Sequence, residues 1–595
     1  MRFANSLLSA VMVMGGVAGF GLGADAAPTT PDRLKNAVNE PQNWLMAHEN
    51  YNSWRYSKLT QINKSNVANL HVVYMAAIGG GATSNLAGRP NNNEQAAPLV
   101  EDGMMYVVDS ANKIMKFDVR SGDRAVPLWR YDPKVENVQN TLGIALWQDT
   151  VVMAARDARI MAIGKDTGEV VWEANGKEPS GGVNADDAIK TRTFRGTNTV
   201  FRSAGGKDII VVGAGGSGVG WVGGYDAANG KNVWRTYTIP QPGEANFGTW
   251  PDDKWKWGGA MPWGPSAYDV DNNTVFIGTG EPSPVYDPEF RPGANLYSVS
   301  TLALDADTGK MKWFFQETPN DQWDYDSTST RILYDRIGTD GKARAVVSNW
   351  ARNGFFYTYD RVTGEFLSAI PQSSNINWTK GIDPKTGKPV EFNGTQTLQT
   401  YNVAGPRAGR AEKDAPLLCM TWGGSPTGIW PASFDPTSGV SYQTRTGGCT
   451  YQTLVTPAAT NFQPLARECL GCVIKQVQVN TNANLVAIDT RSGKVVNTFT
   501  RDLGIPSDRQ AEVGTLVTAG GLVFTGFDDG GFSAYDKDTL AELWRFNTGT
   551  GLKAAPITFS VGGKQYIAHV AGGDNPGNGI RSLIMPSATL IVYGL

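Results

Sequence analysis

Apolar and polar residues alternate with period two through most of the chain. The stretches TVVMAA (150–155), IMAIG (160–164) and EVVW (169–172) show it plainly, separated by the turns RDAR and KDTG. Such alternation predicts half-buried strands, here three in consecutive antiparallel order. One motif recurs around them: a strand ending in a small residue and Asp, a turn with Gly, and a strand ending in Trp. It is clearest at 116–129, 161–172, 223–234 and 302–313. Weaker copies lie at 357–367, 432–442, 486–496 and 533–544. The Asx-x-x-Thr/Ser-Gly core is turn chemistry, a short polar side chain closing the turn and Gly taking positive φ.

A repeat of this length and type predicts a blade of a β-propeller, about 40–50 residues each with room for longer loops. Eight copies predict an all-β, eight-bladed β-propeller around a central channel, spanning 27–595 as one domain. The Trp closing each copy is expected to pack between neighbouring blades. The 595 residues could otherwise suggest several domains, but propellers commonly exceed that prior as one unit. The 70 glycines and 18 tryptophans fit many tight turns and large packed aromatics.

The first 26 residues read as a secretory signal: Arg2, the apolar stretch LLSAVMVMGGVAGFGLG (7–23) and a small-x-small site at ADA (24–26). No later segment is apolar enough to span a bilayer, so an exported, periplasmic protein with no membrane segment is expected. A net charge of −3 and the lack of a basic stripe give no reason to expect nucleic acid. The four cysteines, Cys419, Cys449, Cys469 and Cys472, favour two disulfides in an oxidising compartment. CLGC is followed by Val473, so it is not the CxxCH of a c-type haem; a local bridge between Cys469 and Cys472 is the plainer reading. The Gly-rich GAGGSG (213–218) sits among β repeats, outside any strand–GxGxxG–helix unit, which argues against a nicotinamide cofactor.

The chain resembles the quinoprotein alcohol dehydrogenases that bind pyrroloquinoline quinone (PQQ). The likeness starts at NWLMAHENYNSWRYSKLTQINKSNVANL (43–70) and runs through the tryptophan repeats over nearly the whole mature chain. It implies roles residue by residue. In NEQAAPLV (93–100), Glu94 would contact the quinone. In GGAMPWGPSAYD (258–269), Trp263 would form the floor beneath it, because a flat aromatic suits a flat ring. In ARNGFFYTYDR (351–361), Arg352 would hydrogen-bond the quinone oxygens, a fixed cation where negative charge develops. Gly215, Gly216 and Ser217 lie in the family's Gly-rich cofactor-contacting segment. The Asp of W-D-Y would be the catalytic base, here Asp324, taking the alcohol's hydroxyl proton as hydride leaves its carbon. A metal would act as Lewis acid on the quinone carbonyl.

PNDQWDYDSTST (319–330) thereby gains a reason for its acids. Asp326 matches the pattern of lanthanide-dependent members, and a trivalent hard cation asks for more oxygen charge than Ca²⁺ does. Other positions depart from the family. The Gly-rich stretch 213–226 lacks the Glu expected as first metal ligand, whereas GTGEP (278–282) has Glu281 where Asn is usual. The expected metal ligands are Glu281, Asp324 and Asp326, with the ion, a lanthanide or Ca²⁺, left open. The vicinal cysteines that cover PQQ in many relatives fall at Glu136 and Asn137, and an expected Arg falls at Leu142. Two pocket tryptophans of methanol enzymes are replaced by Glu512 and Asn575, which points to a bulky or secondary alcohol. Cys419 and Cys449 match a family disulfide by spacing. With no second redox centre in the chain, a soluble cytochrome c is the expected electron acceptor; a homodimer is left open. Two rival readings are a non-enzymatic assembly propeller, which would need a lipidated Cys after the signal, and a saccharide-binding propeller using WPDDKWKWGG (250–259).

Overall fold

The computed structural model describes residues 27–595 except 80–82, 85–88, 91–93, 136–140, 177–192, 195, 216–217, 338–340, 407–411, 420–429, 456–472, 505–509 and 574–587. The leader, Glu136, Asn137, Gly216, Ser217, Cys469, Cys472 and Asn575 thus lie outside the described residues.

Among the described residues, period-two alternation becomes eight radial sheets of four or five strands, antiparallel except where Tyr56–Ser57 joins the seventh. The first blade pairs Leu99–Glu101, Met104–Val108, Ile114–Asp118 and Val126–Tyr131 in that order. Its three inner strands are buried and its last is largely exposed, as expected for strands stepping outward from an axis. Six further blades follow in chain order within 145–175, 193–237, 267–316, 331–371, 417–501 and 516–547. The eighth joins Ile557–Val561, Lys564–Ala571 and Ala588–Gly594 to His71–Gly79, so the ring closes by pairing the two ends of the chain.

The count of eight copies agrees with eight blades, but the copies do not map one to one. Residues 432–442 form the inner hairpin of the sixth blade, whose outer hairpin holds 486–496. The eighth blade has no copy, because its outermost strand comes from the N-terminal side and needs no turn. The tryptophans do dock between blades. Trp234 donates to Ala306 O at 3.1 Å and covers Gly309 of the next blade, where φ is +70° and a Cβ would lie 2.5 Å from the indole. The same contact joins Trp129 to Gly168, Trp172 to Gly230 and Trp313 to Gly364. The Gly of each turn therefore serves both the turn and the neighbour's indole.

The segment 27–57 crosses the inner strands of all eight blades. It bonds the first through Trp44 and Val100, the second through Thr29 and Gln148, and the third through Tyr51 Oη to Val200 O. Backbone N–H groups of Tyr268, Leu333 and Phe434 reach it from the fourth, fifth and sixth blades. Tyr56 and Ser57 pair in parallel with Val517 and Thr518 of the seventh, and Ser560 N donates to Gln42 O from the eighth. Arg55, fully buried, binds the carbonyls of Ala47, Thr515 and Pro556. Burial lowers its pKa to about 9, against the opposing charge of Glu49.

Candidate functional site

The acid-rich segment 319–330 connects the fourth and fifth blades, and its first acid organises the rest. Asp321 is buried and accepts from the backbone N–H of Asp324 at 2.9 Å and Tyr325 at 3.1 Å. This closes a turn in which Asp324 adopts φ +68°, a conformation Asp tolerates better than most residues. Burial raises the Asp321 carboxyl to about 6, with Arg291 pulling the other way. Arg291, also fully buried, donates to the carbonyls of Pro284, Val285 and Asp321 at 2.8, 2.6 and 2.6 Å. It ties the segment after Glu281 to the segment holding the acids. Trp323 and Tyr325 stack at 5.4 Å and pack on Trp378 and Tyr401, which anchors both flanks of Asp324.

The structure brings Glu281, Asp324 and Asp326 together, with one carboxylate oxygen of each lying within 4.8 Å of the others. Glu281 and Asp326 are buried, and Asp324 is partly exposed. Glu281 N donates to Asp326 Oδ1 at 2.8 Å. Gly280 permits this approach, since a Cβ there would meet Asp326 Oδ1 at 2.6 Å and Trp263 Nε1 at 3.3 Å. Arg352 Nη1 lies 2.9 Å from Asp326 Oδ2 and 3.5 Å from Asp324 Oδ1, and donates to Asp324 O at 3.0 Å. Burial, then the Glu281 charge, push the Asp326 carboxyl well above the usual range, although Arg352 opposes them. For Arg352, burial works against the charge, and Asp326, Asp324 and Glu281 more than offset it. Three carboxylates face one guanidinium, and buried charge of one sign calls for a counter-ion.

Trp263 lies beside this set, with the Arg352 guanidinium 5.8 Å from its ring, and packs with Leu142, Trp430 and Met261. Glu94 is buried, and its backbone N–H donates to Gly572 O at 2.7 Å. Neither carboxylate oxygen has a partner of good hydrogen-bond geometry. Burial and the Asp109 charge raise it to about 8, with Ser110 nearby pulling down. Gly215 ends the strand Asp208–Gly215, which pairs with Trp221–Asp226, so the Gly-rich stretch serves a sheet and leads into no helix. Cys419 and Cys449 form a disulfide that joins Leu417–Cys419 to the middle of the strand Val440–Val455, which pairs along its length with Val473–Asp489.

Two features were not legible in the sequence. Glu512 is not an open pocket wall: it is buried and ion-paired with Lys553, itself fully buried, a residue no motif marks. Nor is WPDDKWKWGG a row of exposed platforms. Trp250 and Trp255 are core residues of a local cluster, and Trp257 alone of the three is exposed, edge-on to Phe290 at 5.4 Å.

Comparison with known proteins places this arrangement. The family pattern described as PQQ glucose/ethanol/alcohol dehydrogenase, β-propeller domain, matches residues 44–375 and 475–567. Quinohemoprotein alcohol dehydrogenase ADH-IIG of Pseudomonas putida is 32% identical, over 98% of this chain and 81% of the relative. The lanthanide-dependent methanol dehydrogenase of Methylorubrum extorquens is 30% identical, over 97% and 95%. Among solved structures, that of ADHIIG from Pseudomonas putida HK5 superposes with TM-score 0.80 at 29% identity, over 96% of this chain and 83% of that one. A europium-containing methanol dehydrogenase superposes with TM-score 0.79 at 27% identity, over 95% and 100%. With its eight docked blades and its acids gathered beside Arg352 and Trp263, the chain belongs to the PQQ-dependent alcohol dehydrogenase family of β-propellers.

Proposed function

We propose that this protein is a periplasmic, PQQ- and metal-dependent dehydrogenase that oxidises a bulky or secondary alcohol. The observation that carries the reading is the convergence of Glu281, Asp324 and Asp326 beside Arg352 and the Trp263 floor. The residues fit both groups. The three carboxylates are a hard oxygen set with surplus negative charge, as a Ca²⁺ or lanthanide ion requires. Glu94 is buried with Ser110 as the one hydrogen-bonding neighbour acting on its carboxylate, which leaves acceptor capacity for a partner from a ligand. Bound there, PQQ would supply the hydride acceptor and the ion Lewis acidity.

The chain's own residues do the rest. Asp324 accepts the alcohol's hydroxyl proton, held in reach by the turn that Asp321 closes. Arg352, kept charged by its acidic neighbours, stabilises negative charge on the oxygens it faces. Trp263 offers a flat face, worth about 0.5–1.5 kcal/mol beyond area burial for an aromatic stack. Electrons leave to a separate soluble acceptor of the cytochrome c class. No helix among the described residues is long and apolar enough to cross a membrane.

The substrate preference follows from volume. Where the resemblance leads one to expect a tryptophan, this chain closes the wall with the buried Glu512–Lys553 pair, which lacks the flat indole face, a surface on the order of 150–250 Å². A small alcohol is then held less closely, and loose positioning slows transfer. Comparison of kcat/KM for methanol, ethanol and a bulky secondary alcohol, with PQQ and a dye acceptor, tests both parts. The bulky alcohol is expected to win; a preference for methanol contradicts the pocket, and oxidation with NAD alone contradicts the quinone.

A further inference from the structure

A second cation stands at the aromatic floor. Lys553 is fully buried, its ammonium ion-paired with Glu512 Oε2 and 4.0 Å from Asp528 Oδ1. It lies over the Trp430 indole, 5.6 Å from the ring centroid. Trp430 packs in one cluster with Trp263 and Leu142, and Trp263 has the Arg352 guanidinium at 5.8 Å. Two indoles of one floor thus carry one cation each. Glu512 also bears on the charge of Arg352, so both sets share one field.

Stability alone does not account for Lys553. A fully buried lysine is rare, and replacing a buried ion pair by apolar groups of like size is often neutral or stabilising. The floor also borders five carboxylates, Glu281, Asp324, Asp326, Glu512 and Asp528, against the two cations Arg352 and Lys553. A ligand bearing carboxylates would be repelled there without local positive charge. Position 142, where the resemblance leads one to expect Arg, holds a Leu in the same cluster.

We propose that Lys553 supplies the cation that Leu142 lacks: it binds a carboxylate of the flat cofactor on the Trp263–Trp430 floor, with Glu512 and Asp528 holding the ammonium in place. The proposal rests on the quinone reading above and adds a cofactor-binding residue to it.

The test is binding, not turnover. PQQ is titrated into the apo-protein, with and without La³⁺, and followed by quenching of tryptophan fluorescence. Lys553→Met with Glu512→Gln removes both charges of the pair, and folding is checked by circular dichroism. This double variant is expected to bind PQQ at least tenfold more weakly, and Leu142→Arg added to it should recover most of the loss. Affinity in the double variant within about threefold of wild type overturns the proposal. Should the double variant not fold, Lys553→Arg is compared with Lys553→Gln. Tight binding by Arg alone supports the role, and equal binding by both overturns it. A wild-type protein that binds no PQQ under any condition would instead overturn the proposed function itself.

Discussion

Asp321 and Asp324 stand three residues apart and meet opposite demands. Asp321 gives its carboxylate to backbone N–H groups within its own turn, and Asp324 is presented at φ +68° beside Arg352. An amide at 324 keeps the shape and loses the ability to take a proton. Asp324→Asn should therefore reduce turnover by about 10²–10⁴-fold while PQQ binding and thermal stability stay near wild type. A variant with most of its kcat would put the base elsewhere. Glu94 and Glu49 carry a second residue-scale consequence. Burial raises both from 4.5 to about 8. Such a carboxyl binds more protons folded than unfolded between the two values, so it lowers stability as pH rises. His48 and His569, lowered by burial from 6.5 to about 3, act in the opposite sense only below pH 6.5. The apo-protein should lose stability between pH 6.5 and 8, by about 1.4 kcal/mol per pH unit for each such carboxyl. Glu94→Gln should flatten this slope in denaturant titrations; an unchanged slope would show that Glu94 ionises normally.

Each blade is held to the next by an indole resting on a turn glycine. Trp234 is 5% exposed, donates to Ala306 O and covers Gly309. Trp234→Ala should cost about 3–5 kcal/mol, read from denaturant melts, with kcat at low temperature little changed because the site lies on other elements. A loss below 1 kcal/mol would mean that the indole only fills space. The strands were legible because period two is local, and so was the docking of each Trp between blades, but its partner, the turn Gly of the next copy, was not, because the contact joins two copies. The assignment of copies to blades was not. Residues 432–442 and 486–496 use the same turn chemistry, and nothing local tells an inner hairpin from an outer one. The eighth blade was hidden for the converse reason: its outer strand lies hundreds of residues from its inner ones.

At the scale of the whole molecule, the segment 27–57 bonds to every blade and fixes the inner strands from which the site is built. The site itself was legible only in part. Glu281, Asp324, Asp326, Arg352 and Trp263 were placed by resemblance to a family, and the fold gathers them from four separate stretches of chain. Asp321 stood out as one of the clustered acids but without a role, which its buried turn supplies, whereas Arg291 and Lys553 carried no signal, because their importance comes from burial and from partners distant in sequence. The central claim is that three carboxylates converge to hold a metal that PQQ-dependent alcohol oxidation needs. It is tested most directly by reconstituting the apo-protein with PQQ alone, with PQQ and Ca²⁺, and with PQQ and La³⁺, and measuring dye-linked oxidation of a bulky secondary alcohol for wild type and Asp326→Ala. Wild type should be inactive with PQQ alone and most active with La³⁺, and Asp326→Ala should lose the La³⁺ response or shift toward Ca²⁺. Full activity with PQQ alone, or an Asp326→Ala variant with unchanged metal dependence, would contradict the claim.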